Sequence, residues 1–147
     1  MFSCKRLNII DTSNCMSKTN EFSFVLKVSA HGIGVFATED IESGSFLRLF
    51  GSDELFEKSE GDTKRNKKDV PEIFWSNCID MGDYLICPRD FGNIPVGWYV
   101  NHSKAPNAEH GQFNWYASRD ISAGEEILID YNTFNEPETS KEDFYHV

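Results

Sequence analysis

Val100-Asn101-His102-Ser103-Lys104-Ala105-Pro106-Asn107, followed by Gly124-Glu125-Glu126-Ile127-Leu128-Ile129-Asp130-Tyr131-Asn132, decides how this chain is read. The first piece is rich in Asn and Ser, whose short polar side chains bond nearby backbone groups and stabilise irregular chain. The second leaves a Gly turn, runs through Ile127-Leu128-Ile129 as a buried strand would, and ends on a tyrosine. Upstream, His31-Gly32-Ile33-Gly34-Val35-Phe36-Ala37 sets two glycines one residue apart, a spacing that lets backbone turn sharply and approach a ligand closely. It is not the dinucleotide fingerprint, because the third glycine and the following helix are missing.

Outward from these motifs, residues 22–28, 45–50, 84–87, 112–117 and 126–131 have strand composition. Gly32 and Gly34 are expected to break the first hairpin, and turns are expected at 40–44 and 119–124. Residues 57–69 are almost wholly polar, with Lys64-Arg65-Asn66-Lys67-Lys68 as a basic core, and read as a solvated loop. No internal repeat is read, and no helix longer than two turns. Short strands divided by turn residues predict a mostly-β domain. The expected organisation is a leader or edge strand over 1–20, one domain over 21–134 and an acidic tail over 135–147.

A chain of 147 residues suffices for one domain with a single core, and its twelve Phe predict packing around rings. The net charge of −10 repels phosphate, so direct nucleic-acid binding is not expected. Such charge attracts a Lys/Arg-rich partner, or merely keeps the protein soluble. No apolar run approaches the ~20 residues of a membrane span, and nothing indicates secretion. Cys4, Cys15, Cys78 and Cys87 show neither a C-x-x-C pair nor zinc-ligand spacing. They read as free thiols in an intracellular, reducing compartment, nuclear or cytoplasmic.

In this order the three motifs resemble the SET domain of protein-lysine methyltransferases, over residues 22–134. The resemblance implies a β-clip fold of short sheets with a pseudoknot-like threaded C-terminal segment, an exception to the rule that chains avoid knots. It implies S-adenosylmethionine as cofactor and transfer of its methyl group to a lysine of a basic, histone-like or other Lys-rich protein. By the same resemblance the main chain of Ile33, Gly34 and Val35 cradles the methionine moiety, and Asn101 and His102 hold the cofactor's ends. Tyr131 occupies the family's catalytic position. Tyr84, Trp98 and His110 are further candidates for the substrate channel. Taken without the resemblance, a lone His is usually a satisfied structural residue, and a Tyr ending a strand is often core with a bonded hydroxyl.

Departures from the pattern are equally legible. Gly92-Asn93-Ile94-Pro95-Val96-Gly97-Trp98-Tyr99 is longer than the family's segment and lacks its Arg, and Ser-Cys reads Ser103-Lys104. Residues 133–147 contain no Cys, so a zinc clip of the family's kind is excluded and no metal is expected. Phe134, Phe144 or Tyr145 is expected to cover the adenine instead. Glu125 reads as a solvated turn residue, Glu126 as a structural anchor, and Arg119 as an ion-pair partner for one of them. The alternative to the enzyme is a non-catalytic SET-like binding or scaffold module; an acidic interaction domain is a third class.

Overall fold

The computed structural model describes residues 17–50, 63–111 and 114–146. Their strands, in chain order, are β1 (Phe24–Ser29), β2 (Gly32–Ala37), β3 (Phe46–Leu47), β4 (Lys64–Asn66), β5 (Ile79–Asp80), β6 (Tyr84–Ile86), β7 (Asn101–His102), β8 (Ala108–Gly111), β9 (Asn114–Ala117) and β10 (Leu128–Ile129). The helical segments between them are short 3₁₀ turns such as Glu72–Asn77 and Val96–Tyr99. The architecture is mostly β, as the composition predicts. Among the described residues no helix is long and apolar enough to cross a membrane.

The first hairpin pairs β1 with β2 and sets Ser29 opposite Gly32. Only Gly32 uses the freedom expected of both glycines, taking a φ of 105° at the turn. Gly34 lies inside β2. Two further sheets are three-stranded, in the orders β3-β9-β8 and β4-β6-β5. β7 and β10 run parallel, with Leu128 beside Asn101 and Ile129 beside His102. The strands expected at 45–50 and 126–131 shrink to two residues each because the backbone changes partner as it passes. The Glu125 carbonyl accepts from the Ala37 amide and the Ile127 amide donates to Val35, while Ser103 already bonds Ile129.

A repeat that local sequence patterning does not reveal is present. Ala37-Thr38-Glu39-Asp40-Ile41-Glu42-Ser43-Gly44 recurs as Ala117-Ser118-Arg119-Asp120-Ile121-Ser122-Ala123-Gly124, and the two turns face each other. Ile41 and Ile121 exchange both backbone hydrogen bonds, at 2.8 and 2.9 Å. Asp120 accepts from the Ser43 amide at 2.8 Å and Asp40 from the Ala123 amide at 2.9 Å. Gly44 and Gly124 both take positive φ, 80° and 85°. The spacing was too long, and the shared identities too few, to stand out as periodicity.

Val35, Leu47, Leu49, Ile121, Ile127 and Ile129 form the main core, with Tyr131 and Phe134 packed against it. A second cluster gathers Val70, Leu85 and Cys87. The basic run is built into this second unit as strand and turn, with Lys64, Asn66 and Lys68 still exposed to solvent. Residues 57–62 lie outside the described residues, but Lys64–Asn66 pairs with β6. Lys64 Nζ sits 3.8 Å from the Tyr84 ring centroid, and Lys67 bonds Asp80 at 2.6 Å over the Trp75 ring. The Cys78 thiol donates to the Phe74 carbonyl at 3.3 Å, and Cys78 and Cys87 are both made less acidic chiefly by burial; Cys4 and Cys15 lie outside the described residues.

Candidate active site

Three segments far apart in sequence meet where β2 passes the ends of β7 and β10. Asn101 Nδ2 is shared among Glu126 Oε1 at 2.8 Å, the Ile33 carbonyl at 3.2 Å and Ser29 Oγ at 3.2 Å. Gly34 is glycine because of this clasp: a Cβ there would stand 2.1 Å from Glu126 Oε1 and 3.0 Å from Asn101 Nδ2. Ile33, Gly34, Val35, Asn101 and Glu126 are thus brought together. The carbonyls of Ile33 and Val35 are already bonded within the protein. The exposed residues of this corner are Gly32 and Ile33.

Asn107 holds the two motifs in register. It is buried; its side chain donates to the Glu126 carbonyl at 2.7 Å and accepts from the Leu128 amide at 2.8 Å. Glu125, expected in solvent, clasps the adjoining turn. It pairs with Arg119 and accepts from the Ser122 amide, and these contacts hold its carboxyl down at about 2, the Arg119 hydrogen bond contributing most.

His102 faces inward. Its Nδ1 accepts from the Tyr131 amide at 3.1 Å, so its ring fixes where the tyrosine leaves β10. The ring lies 5.3 Å from that of Tyr131 and 5.6 Å from that of Tyr145. The Tyr131 hydroxyl donates to the Val100 carbonyl at 2.6 Å. Burial first, then the charges of Glu136 and Glu126, push its pKa up to about 12, so it stays a neutral phenol at physiological pH. With its hydrogen committed to Val100, the oxygen offers only lone pairs to anything that approaches.

Beside this hydroxyl is a cavity of about 320 Å³. Its wall includes Val100 and Tyr131, the rings of Trp98, Trp115 and Phe134, and two tail rings, Phe144 and Tyr145. Acidic groups from two sides, Asp80 and Glu136 among them, also line it. Trp98 therefore belongs to the wall, edge-on to Phe50 at 6.2 Å. His110 stands one ring behind it, stacked on Phe134 at 5.6 Å, against Trp115 at 4.7 Å, with Nε2 bonded to Thr133 Oγ1 at 2.8 Å. Tyr84 is not part of the wall. Ile86, one pleat repeat along β6, takes that place, and the Tyr84 ring is covered by Lys64. The tail supplies what the sequence did not assign: Glu136, buried, whose Oε1 accepts from the Asp80 amide at 2.9 Å. Among the described residues no His, Cys, Asp or Glu cluster could hold a metal ion.

Comparison with known proteins places the chain in a family. Over 131 aligned residues the chain is 30% identical to the histone-lysine N-methyltransferase SUVR5 of Arabidopsis thaliana, covering 73% of this chain and 9% of that protein. It is 29% identical to the N-lysine methyltransferase KMT5A-A of Xenopus laevis, covering 71% of this chain and 34% of that protein. The alignments thus span about a third or less of these relatives. A solved ctPRC2 structure, in an autoinhibited conformation bound to S-adenosylmethionine, matches the fold with a TM-score of 0.50 at 24% identity, over 79% of this chain and 16% of that one. Residues 32–132 match the family model of the SET domain, and this chain belongs to that family.

Proposed function

We propose that the protein transfers a methyl group from S-adenosylmethionine to the side-chain amine of a lysine in a basic protein. The observation that carries the reading is the Tyr131 hydroxyl. It is bonded to the Val100 carbonyl and placed on the wall of an aromatic cavity, one residue from the Asn101 corner. The relatives' names, a histone-lysine and a protein-lysine methyltransferase, support a histone-like substrate, and the net charge of −10 suits a basic one. The cysteine spacing supports work in a reducing compartment.

The residues present fit the cofactor. Gly32 and Ile33 stand exposed at the corner, Asn101 offers a fixed amide, and Phe144, half exposed and 6.3 Å from the His102 ring, offers a face for a flat base. The bound cofactor supplies an electrophilic methyl group on a sulfonium. The chain does the rest. Its ring-lined cavity takes the lysine amine out of water, which favours the neutral, nucleophilic form of a group with a reference pKa of ~10.4. Tyr131, held at both ends by His102 and Val100, presents a lone pair that orients the amine. Alignment of this kind reaches effective molarities of ~10⁵–10⁸ M.

The second reading, a binding module that has lost catalysis, rests on the lengthened segment that places Trp98 in the wall. Titration calorimetry with S-adenosylmethionine separates the two. The enzyme reading expects saturable binding that survives Tyr131→Phe and falls on Asn101→Ala; no binding by the parent chain overturns it.

A further inference from the structure

Cys78 and Cys87 are free thiols with no task in that mechanism. β5 and β6 pair Ile79 with Ile86 and Asp80 with Leu85. Cys78 enters β5 in extended conformation, φ −130° and ψ 160°, so one further step along the ladder sets it opposite Cys87. The hydrogen bonds fix the kind of pair. The Met81 amide donates to the Tyr84 carbonyl at 3.0 Å, which makes Met81 and Tyr84 a bonded pair. Bonded and unbonded pairs alternate along an antiparallel ladder, so Cys78 and Cys87 are an unbonded one. Their amides agree: Cys78 donates back to the Trp75 carbonyl at 3.0 Å, and Cys87 outward to the Thr63 carbonyl at 2.9 Å. In such a pair the Cα atoms stand ~4.5 Å apart with both side chains on one face, inside the ~4.4–6.8 Å span of a disulfide. Cys78 packs against the cluster that contains Cys87. Cys87 is fully buried, whereas Cys78 is partly exposed and lines the cavity.

We infer that Cys78 and Cys87 form a site of reversible oxidation, a cross-strand dithiol that a small-molecule disulfide such as oxidised glutathione converts to a disulfide in the cavity wall. The inference does not depend on the methyl-transfer reading. Cys78, the exposed partner, attacks one sulfur of the small disulfide as its thiolate, forms a mixed disulfide and releases one thiolate. The Cys87 thiolate then attacks Cys78 Sγ and releases the second. The two chain thiols lose two electrons and two protons, and the small disulfide becomes two thiols. Bridging takes the Cys78 hydrogen away from the Phe74 carbonyl, at the end of the turn that carries Trp75 of the wall. Burial, then the Cys87 thiol, pushes the Cys78 thiol up; of the charged groups nearby, Arg65 on β4 draws it down and Asp80 on β5 raises it. Burial likewise raises Cys87, against Cys78 and Arg65. The resting pair is therefore protonated and reacts through a small thiolate fraction.

The test equilibrates the full chain with mixtures of reduced and oxidised glutathione, once folded and once in urea, followed by acid quench, alkylation and trypsin. Residues 69–89 carry both cysteines and no Lys or Arg before Arg89, so the pair falls on one tryptic peptide. A bridge leaves that peptide unalkylated and two hydrogens lighter than its reduced form. Cleavage at Met81, between the two cysteines, then leaves the halves joined until they are reduced. At a given glutathione ratio the folded chain is expected to favour the bridge by about tenfold or more over the chain in urea, because the ladder has already brought the two sulfurs together. The rate is expected to rise about tenfold from pH 7 to pH 8, as the thiolate fraction does. Cys87→Ser is expected to accumulate glutathione on Cys78, and Cys78→Ser to leave Cys87 unmodified. Bridging in the folded chain no more favourable than in urea, or glutathione found on Cys87 in preference to Cys78, overturns the proposal. The parent chain alone gives the first of these answers if a variant does not fold.

Discussion

Gly34→Ala tests whether this glycine serves the protein's own clasp or a ligand. It lies in β2 with an ordinary strand conformation, so the added methyl carries no backbone penalty. The penalty is steric. The new carbon would stand 2.1 Å from Glu126 Oε1, so that oxygen must retreat by about 1.3 Å to reach an ordinary 3.4 Å contact. That movement breaks its 2.8 Å bond to Asn101 Nδ2. A hydrogen bond to a charged group is worth ~1.5–3 kcal/mol. Removing a glycine from the unfolded chain returns ~0.4–1 kcal/mol. The net loss is ~1–2 kcal/mol, or roughly 2–8 °C in Tm for a domain of this size. The assay is thermal and urea denaturation of Gly34→Ala, Glu126→Ala and the double variant. Removing the carboxylate makes room for the methyl, so the two changes should couple by ~1 kcal/mol or more. Additive losses, or a Gly34→Ala chain as stable as its parent that fails only to bind cofactor, would refute this reasoning.

Asn107→Ala leaves the Glu126 carbonyl and Leu128 amide without their side-chain partner; at ~1–3 kcal/mol for each buried orphan, a large fall in the urea midpoint is expected, and a shift within error would count against the suture. Asp40→Ala and Asp120→Ala remove equivalent bonds from the facing turns and should each cost ~0.5–2 kcal/mol by analogy with helix caps; a marked inequality would argue against the internal symmetry. Tyr131 holds its proton to about 12, against an ordinary 10.0. Its contribution to stability is therefore complete below pH 10 and lost as pH rises through about 12; Tyr131→Phe should flatten that alkaline limb in a pH series of unfolding midpoints. Truncation after Glu136 removes Phe144 and Tyr145 from beside His102 and should weaken S-adenosylmethionine binding; unchanged affinity would take both rings out of the site.

What could be read from residues alone follows from how local the signal was. The hairpin of β1 and β2 and the order of the motifs were legible because strand composition and turn glycines act over a few neighbours. The role of Gly34 was not, because the atoms that exclude a Cβ belong to Asn101 and Glu126. The basic run from Lys64 read as solvated loop because charge alone does not reveal the rings of Tyr84, Phe91 and Trp75 beneath it. The turns around Ile41 and Ile121 went unpaired for the same reason, their partners being remote in sequence. In the site, Tyr131 and Asn101 were marked by motif and Trp98 by its departure from one. Glu136 had no such mark: it sits in an acidic stretch where most carboxylates face water, and only burial against Asp80 sets it apart.

The central claim is that Tyr131 works on a methyl group moving to a lysine amine. The most direct measurement is transfer of radiolabel from S-adenosylmethionine to purified core histones, read on a gel beside the Tyr131→Phe chain. The account predicts label in histone with the parent chain and a loss of turnover of at least about a hundredfold with the variant, while both bind cofactor alike. Labelling by the variant at the parental rate would contradict it.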